Sequence, residues 1–131
     1  MDEKLTVSVR PGVSFSYRRN RVLVFLSTLQ VLNNPSCIRF LFNPSEKKLA
    51  IQECEYNEKD SFVVPKYERS EEWKTYEISS ISMIKMLWEC CGWTKNRTYR
   101  IFGEFYPRYK LVEFKMSDAV ELSEDMFCDP E

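Results

Sequence analysis

The stretch Tyr17-Arg18-Arg19-Asn20-Arg21 sets three arginines within four positions beside an aromatic ring. A guanidinium is planar and permanently charged, and its fork of N–H donors matches phosphate oxygens in pairs. Such a cluster suits the holding of a polyanion, and it neither breaks nor forms bonds. Arg10, Arg39, Arg97, Arg100, Arg108 and Lys110 lie in the same basic parts of the chain. With Arg18, Arg19 and Arg21 they are the candidate contacts to nucleic-acid phosphates. The competing reading is that soluble strands put lysine and arginine on their wet faces, and only convergence in space distinguishes the two.

Bond-making chemistry has little to work with. Histidine does not occur, which removes Ser–His and Cys–His nucleophiles and imidazole-ligated metals. Cys37, Cys54, Cys90, Cys91 and Cys128 are odd in number and lack Cys-x-x-Cys spacing, so neither a disulfide framework nor a zinc site is expected. No glycine-rich phosphate loop or paired-carboxylate arrangement is recognisable. The expectation is no catalytic residue, no metal, no cofactor and no enzymatic activity. Trp73, Trp88 and Trp93 have faces on which bases stack, but aromatics at apolar phase belong more often to a core.

The elements that must position the arginines are legible in the alternation of apolar residues. Arg21 to Phe25 is rich in β-branched and aromatic side chains and reads as a strand. Ser27 is the expected cap of a short helix, ended by Asn33-Asn34-Pro35. Ile38, Phe40 and Phe42 alternate along a second strand, Asn43-Pro44 opens a turn, and Leu49 and Ile51 resume the alternation on the way back. The same order returns in residues 76–115. Ile101, Phe105, Pro107 and Lys110 align with Ile38, Phe42, Pro44 and Lys47 at an offset of 63. Upstream the offset is 55, pairing Leu26, Ser27, Leu29 and Leu32 with Ile81, Ser82, Ile84 and Leu87. The second helix is longer, and Gly92 suits the left-handed position after its end.

Two such units are too few for a solenoid. The expected fold is α+β, mainly β: a pseudo-two-fold pair of β-α-β-β units forming one small barrel or sandwich with two short helices. Residues 1–115 are expected to make a single globular domain, with the repeat at about 21–52 and 76–115. Residues 53–72 would be an acidic connection carrying one edge strand, and 116–131 an acidic mobile tail.

The segment "NRVLVFLSTLQVL…CIRFLFNPSEKKLAI" resembles the AbrB/MazE/SpoVT swapped-hairpin family, in which an arginine-led strand, a short helix and a hairpin interlock in pairs. The resemblance implies a fused, degenerate tandem pair of such units. It also implies contact with DNA by basic residues of the first strand, its turn and the helix. Arg10, Arg18, Arg19 and Arg21 fall in the corresponding region. Phe25 stands where the family has a proline, Leu32-Asn33 where it has Leu-Gly, and Tyr76-Glu77 where a second basic strand would begin.

Net charge is −1 over 131 residues but unevenly spread. Residues 1–52 carry +5 and 73–115 carry +4, whereas 53–72 carry −4 and 116–131 carry −6. A basic body with acidic irregular segments fits a DNA-binding or DNA-associated regulatory protein whose partner is duplex DNA. The alternative is a protein–protein interaction module, an adaptor or inhibitor of a mobile element, without a nucleic-acid role. The N-terminus lacks a long apolar run, so a cytoplasmic protein without a membrane partner, monomer or homodimer, is expected.

Overall fold

The structure, a computed structural model, describes residues 10–56, 58–65 and 75–122. In chain order these form β1 (Gly12–Ser16), β2 (Arg21–Phe25), α1 (Leu26–Val31), β3 (Cys37–Asn43), β4 (Lys48–Glu53) and β5 (Ser61–Val63). Then follow β6 (Thr75–Ser79), α2 (Ile81–Cys91), β7 (Thr98–Phe102), β8 (Glu104–Tyr106), β9 (Leu111–Lys115) and β10 (Val120–Leu122). The first sheet has the order β10-β7-β1-β2-β6 and the second β5-β3-β4-β9-β8. Every ladder is antiparallel.

Alternation explains the packing. Val13, Phe15, Val22, Val24, Tyr99 and Ile101 turn one face of the first sheet inward, and Ile38, Leu49, Ile51, Val112 and Phe114 do the same for the second. With Leu29, Leu32, Ile84, Leu87 and Trp88 of the helical segments they form one continuous apolar core. The architecture is thus α+β and mainly β, as expected, with two sheets and two helices sharing an interior. It is not a closed barrel, because the strands divide into two separate five-stranded sheets.

The second hairpin differs from the first. β3 pairs with β4 from Ile38 through Asn43, but residues 98–106 are split: β7 pairs with β1 in the first sheet and β8 with β9 in the second. The crossing falls at Gly103, whose N–H donates to Pro11 O at 2.9 Å. A Cβ there would stand 2.5 Å from the Glu113 carbonyl oxygen and 2.7 Å from the Phe114 ring. The absent side chain is what lets the strand pass between sheets.

Caps correct the local reading. Ser27 does not cap α1: the N-cap is Phe25, without a side-chain bond, and the Ser27 hydroxyl donates to Arg10 O at 2.9 Å. Cohesion there comes from Thr28, whose Oγ1 accepts from Gly12 N at 2.9 Å and donates to Gly12 O at 2.8 Å. The helix is ended by two left-handed asparagines, Asn33 (φ 67°) and Asn34 (φ 52°), before Pro35 is reached. α2 behaves as its sequence demands, with Ser80 Oγ accepting from Met83 N and Gly92 left-handed at φ 65°.

Nor does an acidic tail begin at 116. Met116 is buried and packs in the core, and β10 completes the edge of the first sheet against β7. Acidic composition masked the apolar pair Val120 and Leu122, of which Leu122 is buried. Residues 123–131 lie outside the described residues, as do residue 57 and residues 66–72 of the acidic connection. β5, the expected edge strand, lies at the edge of the second sheet. Among the described residues no helix is long and apolar enough to cross a membrane.

Candidate nucleic-acid interface

The face of the first sheet turned away from the core carries Arg21, Leu23 and Phe25 on β2, Ser14 and Ser16 on β1, and Thr98, Arg100 and Phe102 on β7. The register fixes their neighbours. Ser16 lies between Arg21 and Thr98, and Ser14 between Leu23 and Arg100. Two partly exposed arginines therefore flank a strip of small hydroxyl side chains on the central strand, and the strip itself is buried. Arg10, just before β1, and Arg100 both stand 5.9 Å from the centroid of the Phe102 ring.

Arg18 and Arg19 occupy the exposed turn between β1 and β2, closed by Asn20 N donating to Tyr17 O at 3.2 Å with Asn20 left-handed at φ 54°. That turn is anchored by aromatic packing. The Tyr17 ring lies 5.4 Å from Trp88, which meets Trp93 edge-on at 5.0 Å, and Trp93 stacks on Tyr99 at 4.4 Å. Trp88 Nε1 donates to Thr94 O at 3.0 Å, and Thr94 N donates to the Tyr99 hydroxyl at 2.9 Å, so the loop after α2 is tied to the same cluster. It brings Lys95 over Tyr17, 5.2 Å from the ring centroid. Tyr17, Lys85, Trp88, Glu89, Trp93 and Lys95 line a cleft of about 200 Å³.

Arg97 precedes β7 at the same end of the sheet. The structure thus brings Arg10, Arg18, Arg19, Arg21, Arg97 and Arg100 to one sheet and its turns. Lys85 and Lys95 join them. Sequence reasoning passed over both lysines, since the proximity of the α2 end to the β1–β2 turn has no local signature. Trp88 and Tyr99 are buried, so they brace the surface rather than face a base.

Acidic neighbours temper this surface. Arg21 Nε meets Glu77 Oε2 at 2.8 Å and Arg97 Nε meets Glu121 Oε2 at 2.8 Å. All four side chains are close to half exposed, where such pairs contribute only about 0–1 kcal/mol and yield to a competing anion. Each contact uses Nε, so the N–H donors of the terminal nitrogens lie outside it.

Arg39, Arg108 and Lys110 are elsewhere. Arg39 lies on the second sheet, where it donates to Gln52 Oε1 at 3.1 and 2.9 Å and meets Glu58 Oε1 at 3.1 Å. Its role is to tie β3 to the segment before β5. Arg108 and Lys110 belong to the turn joining β8 to β9, with Lys110 left-handed at φ 54°.

Thr98 stands out on the arginine face. It is fully buried, and its Oγ1 has no hydrogen-bond partner. A buried, unpaired hydroxyl costs about 1–3 kcal/mol. Thr98→Val is therefore expected to raise stability by about 1 kcal/mol, read as a higher urea midpoint at unchanged slope. A lower midpoint would mean that the hydroxyl is satisfied in solution.

Cys91 is not poised for attack. Burial first, and the neighbouring Cys90 second, push the Cys91 thiol up to about 11, so at neutral pH it stays protonated and a poor nucleophile. Cys37, Cys54, Cys90 and Cys91 are free, and Cys128 lies outside the described residues. Among the described residues no three Cys, Asp or Glu side chains gather as a metal site would require.

Compared with family models, with curated proteins and with solved structures, the chain matches none.

Proposed function

We propose that this chain is a non-enzymatic, DNA-associated protein that grips the phosphodiester backbone of duplex DNA with the β1–β2 turn and the partly exposed arginines of its first sheet. The observation that carries the reading is convergence: Arg10, Arg18, Arg19, Arg21, Arg97 and Arg100, far apart in sequence, share one sheet, with Lys85 and Lys95 alongside. Phosphate contacts of this kind position a protein on DNA without reading sequence. Arg39, Arg108 and Lys110 take no part in the grip.

The scaffold in this reading is a pseudo-two-fold pair of β-α-β-β units, remotely akin to the swapped-hairpin regulators. Several particulars support the duplication. α1 and α2 start at the aligned residues Leu26 and Ile81, and the aligned Leu29 and Ile84 are both buried. The turn lysines Lys47 and Lys110 share φ 54°. Glu53 N donates to Lys110 O at 3.1 Å, and Met116 N to Lys47 O at 3.0 Å, which is the same contact made reciprocally. Ala50 aligns with Glu113 and is also its ladder partner, as an axis through that pair requires. The first strands of the two copies, β2 and β6, are antiparallel neighbours too.

The test is binding of a fluorescent duplex across a salt series. Affinity is expected to fall with a log–log slope of about −4, the value for four or five neutralised phosphates. Arg108→Ala/Lys110→Ala should leave that slope unchanged. No association at the lowest salt, or a slope lost with the Arg108 and Lys110 pair instead, overturns the proposal.

A further inference from the structure

The inward face of the second sheet is not fully covered. Phe40 and Phe42 on β3 and Phe62 on β5 point to the core side, yet all three remain partly exposed. Phe40 and Phe62 meet edge-on at 5.6 Å. The reason lies in α2, whose buried stripe of Ile84, Leu87 and Trp88 is committed to the shared core. Only its flank, Met83 and Met86, faces the phenylalanines, and between flank and sheet lies a groove of about 580 Å³. Met86 is 38 % exposed and Ile81, at the start of the helix, 60 %.

Phenylalanine and methionine walls of this kind adapt to apolar side chains of varied shape, methionine through its three rotatable bonds and polarizable sulfur. The volume is in the range that takes a small ligand or a few side chains of a peptide. Charge narrows the occupant. Among the described residues Asp60 is the one charged member of the lining, and no lysine or arginine lines the groove. Among the described residues no cation forms an ion pair with Asp60. An exposed carboxylate in the lining and no base among its described residues disfavour a fatty acid or other anionic amphiphile. They favour an apolar ligand with a positive charge beside it.

We propose that this groove docks a short segment of a partner protein that presents apolar side chains next to a lysine or arginine, the apolar groups seated between Phe42, Phe62 and Met86 and the cation at Asp60. The site lies on the second sheet, so it stands independently of the DNA-gripping face and gives the protein a means to recruit a partner. Helix-side grooves that read apolar anchors are a recurrent mode of peptide recognition.

The probe is a phage-displayed library of random dodecapeptides selected against the full chain, followed by anisotropy with the best clone as a labelled peptide. Enriched clones are expected to pair two apolar residues with a nearby lysine or arginine. Met86→Glu is expected to weaken binding by at least about tenfold, and Asp60→Asn by several-fold, with the loss from Asp60→Asn vanishing for a clone whose basic residue is replaced by alanine. Met86→Gln serves if Met86→Glu melts early, and the circular dichroism spectrum and urea midpoint of each variant report an intact fold. The proposal is overturned if no clone is enriched, if the clones are acidic, or if neither Met86 variant weakens them. It is equally overturned if the wild type self-associates through this face, seen as a dimer in sedimentation that Met86→Glu dissociates.

Discussion

Gly103→Ala is expected to destabilise the protein by about 3 kcal/mol, because the added methyl must displace backbone and not a flexible side-chain end. At Gly103 the new Cβ would meet the Glu113 carbonyl oxygen at 2.5 Å and the Phe114 ring at 2.7 and 2.9 Å. Phe114 is fully buried in the centre of the core, so it has no room to withdraw, and β9 would have to separate from the crossing strand. Gly92→Ala is the control. A methyl added at Gly92 would find nothing within 4 Å, and that glycine has only its left-handed φ of 65° to defend, which costs about 1 kcal/mol. Urea unfolding followed by circular dichroism should rank Gly103→Ala well below Gly92→Ala. Equal losses would mean that β8 and β9 do not approach each other as closely as the structure has them.

The second large effect concerns the turn. Replacing Arg18, Arg19 and Arg21 together by alanine is expected to reduce the salt slope of duplex binding by about 3 and to weaken low-salt affinity uniformly across sequences. Arg18 and Arg19 are exposed and Arg21 is paired only at the surface with Glu77, so the melting temperature should barely move. Arg39→Ala should behave in the opposite manner. It leaves Gln52 and Glu58 without their shared partner, lowering stability by about 1 kcal/mol while sparing DNA affinity. A triple variant that keeps the wild-type slope, or an Arg39→Ala variant that loses it, would move the grip away from the first sheet.

Much of the fold was legible because apolar alternation and turn chemistry act locally. β2, β3 and β4, the helix after β2 and the left-handed Gly92 follow from residues close by in sequence. What escaped is set by distant partners. β1 alternates Val13 and Phe15 with Ser14 and Ser16, but its five residues are a central strand only because β7 pairs with it from the far side. β10 was hidden by the acids around it. The hydroxyl of Thr28 has no local signature, because its two bonds to Gly12 depend on a strand that precedes it.

The candidate site divides along the same line. The arginine cluster at the β1–β2 turn can be recognised from its sequence, since three guanidinium groups in so short a span declare themselves. Which of the remaining arginines join it cannot, because strand order decides that. The neutralisation of Arg21 by Glu77 depends on the β2–β6 ladder, and that of Arg97 by Glu121 on the β7–β10 ladder. The groove beside Phe42 and Phe62 was hidden for another reason: alternation marks Phe40 and Phe42 as core and carries no measure of how far a helix extends over them.

The placement of β1 has a consequence for how the molecule is made. Val13 is paired across the sheet with Ile101, so the middle of the first sheet leaves the ribosome long before its neighbour β7. Until β6 and β7 follow, the newborn β1–β2 hairpin has both edges open, and a two-stranded ribbon alone is marginal in water. Folding should accordingly be slow, in the millisecond-to-second class of proteins dominated by distant strand pairings, and the nascent hairpin is the part most in need of a chaperone's cover.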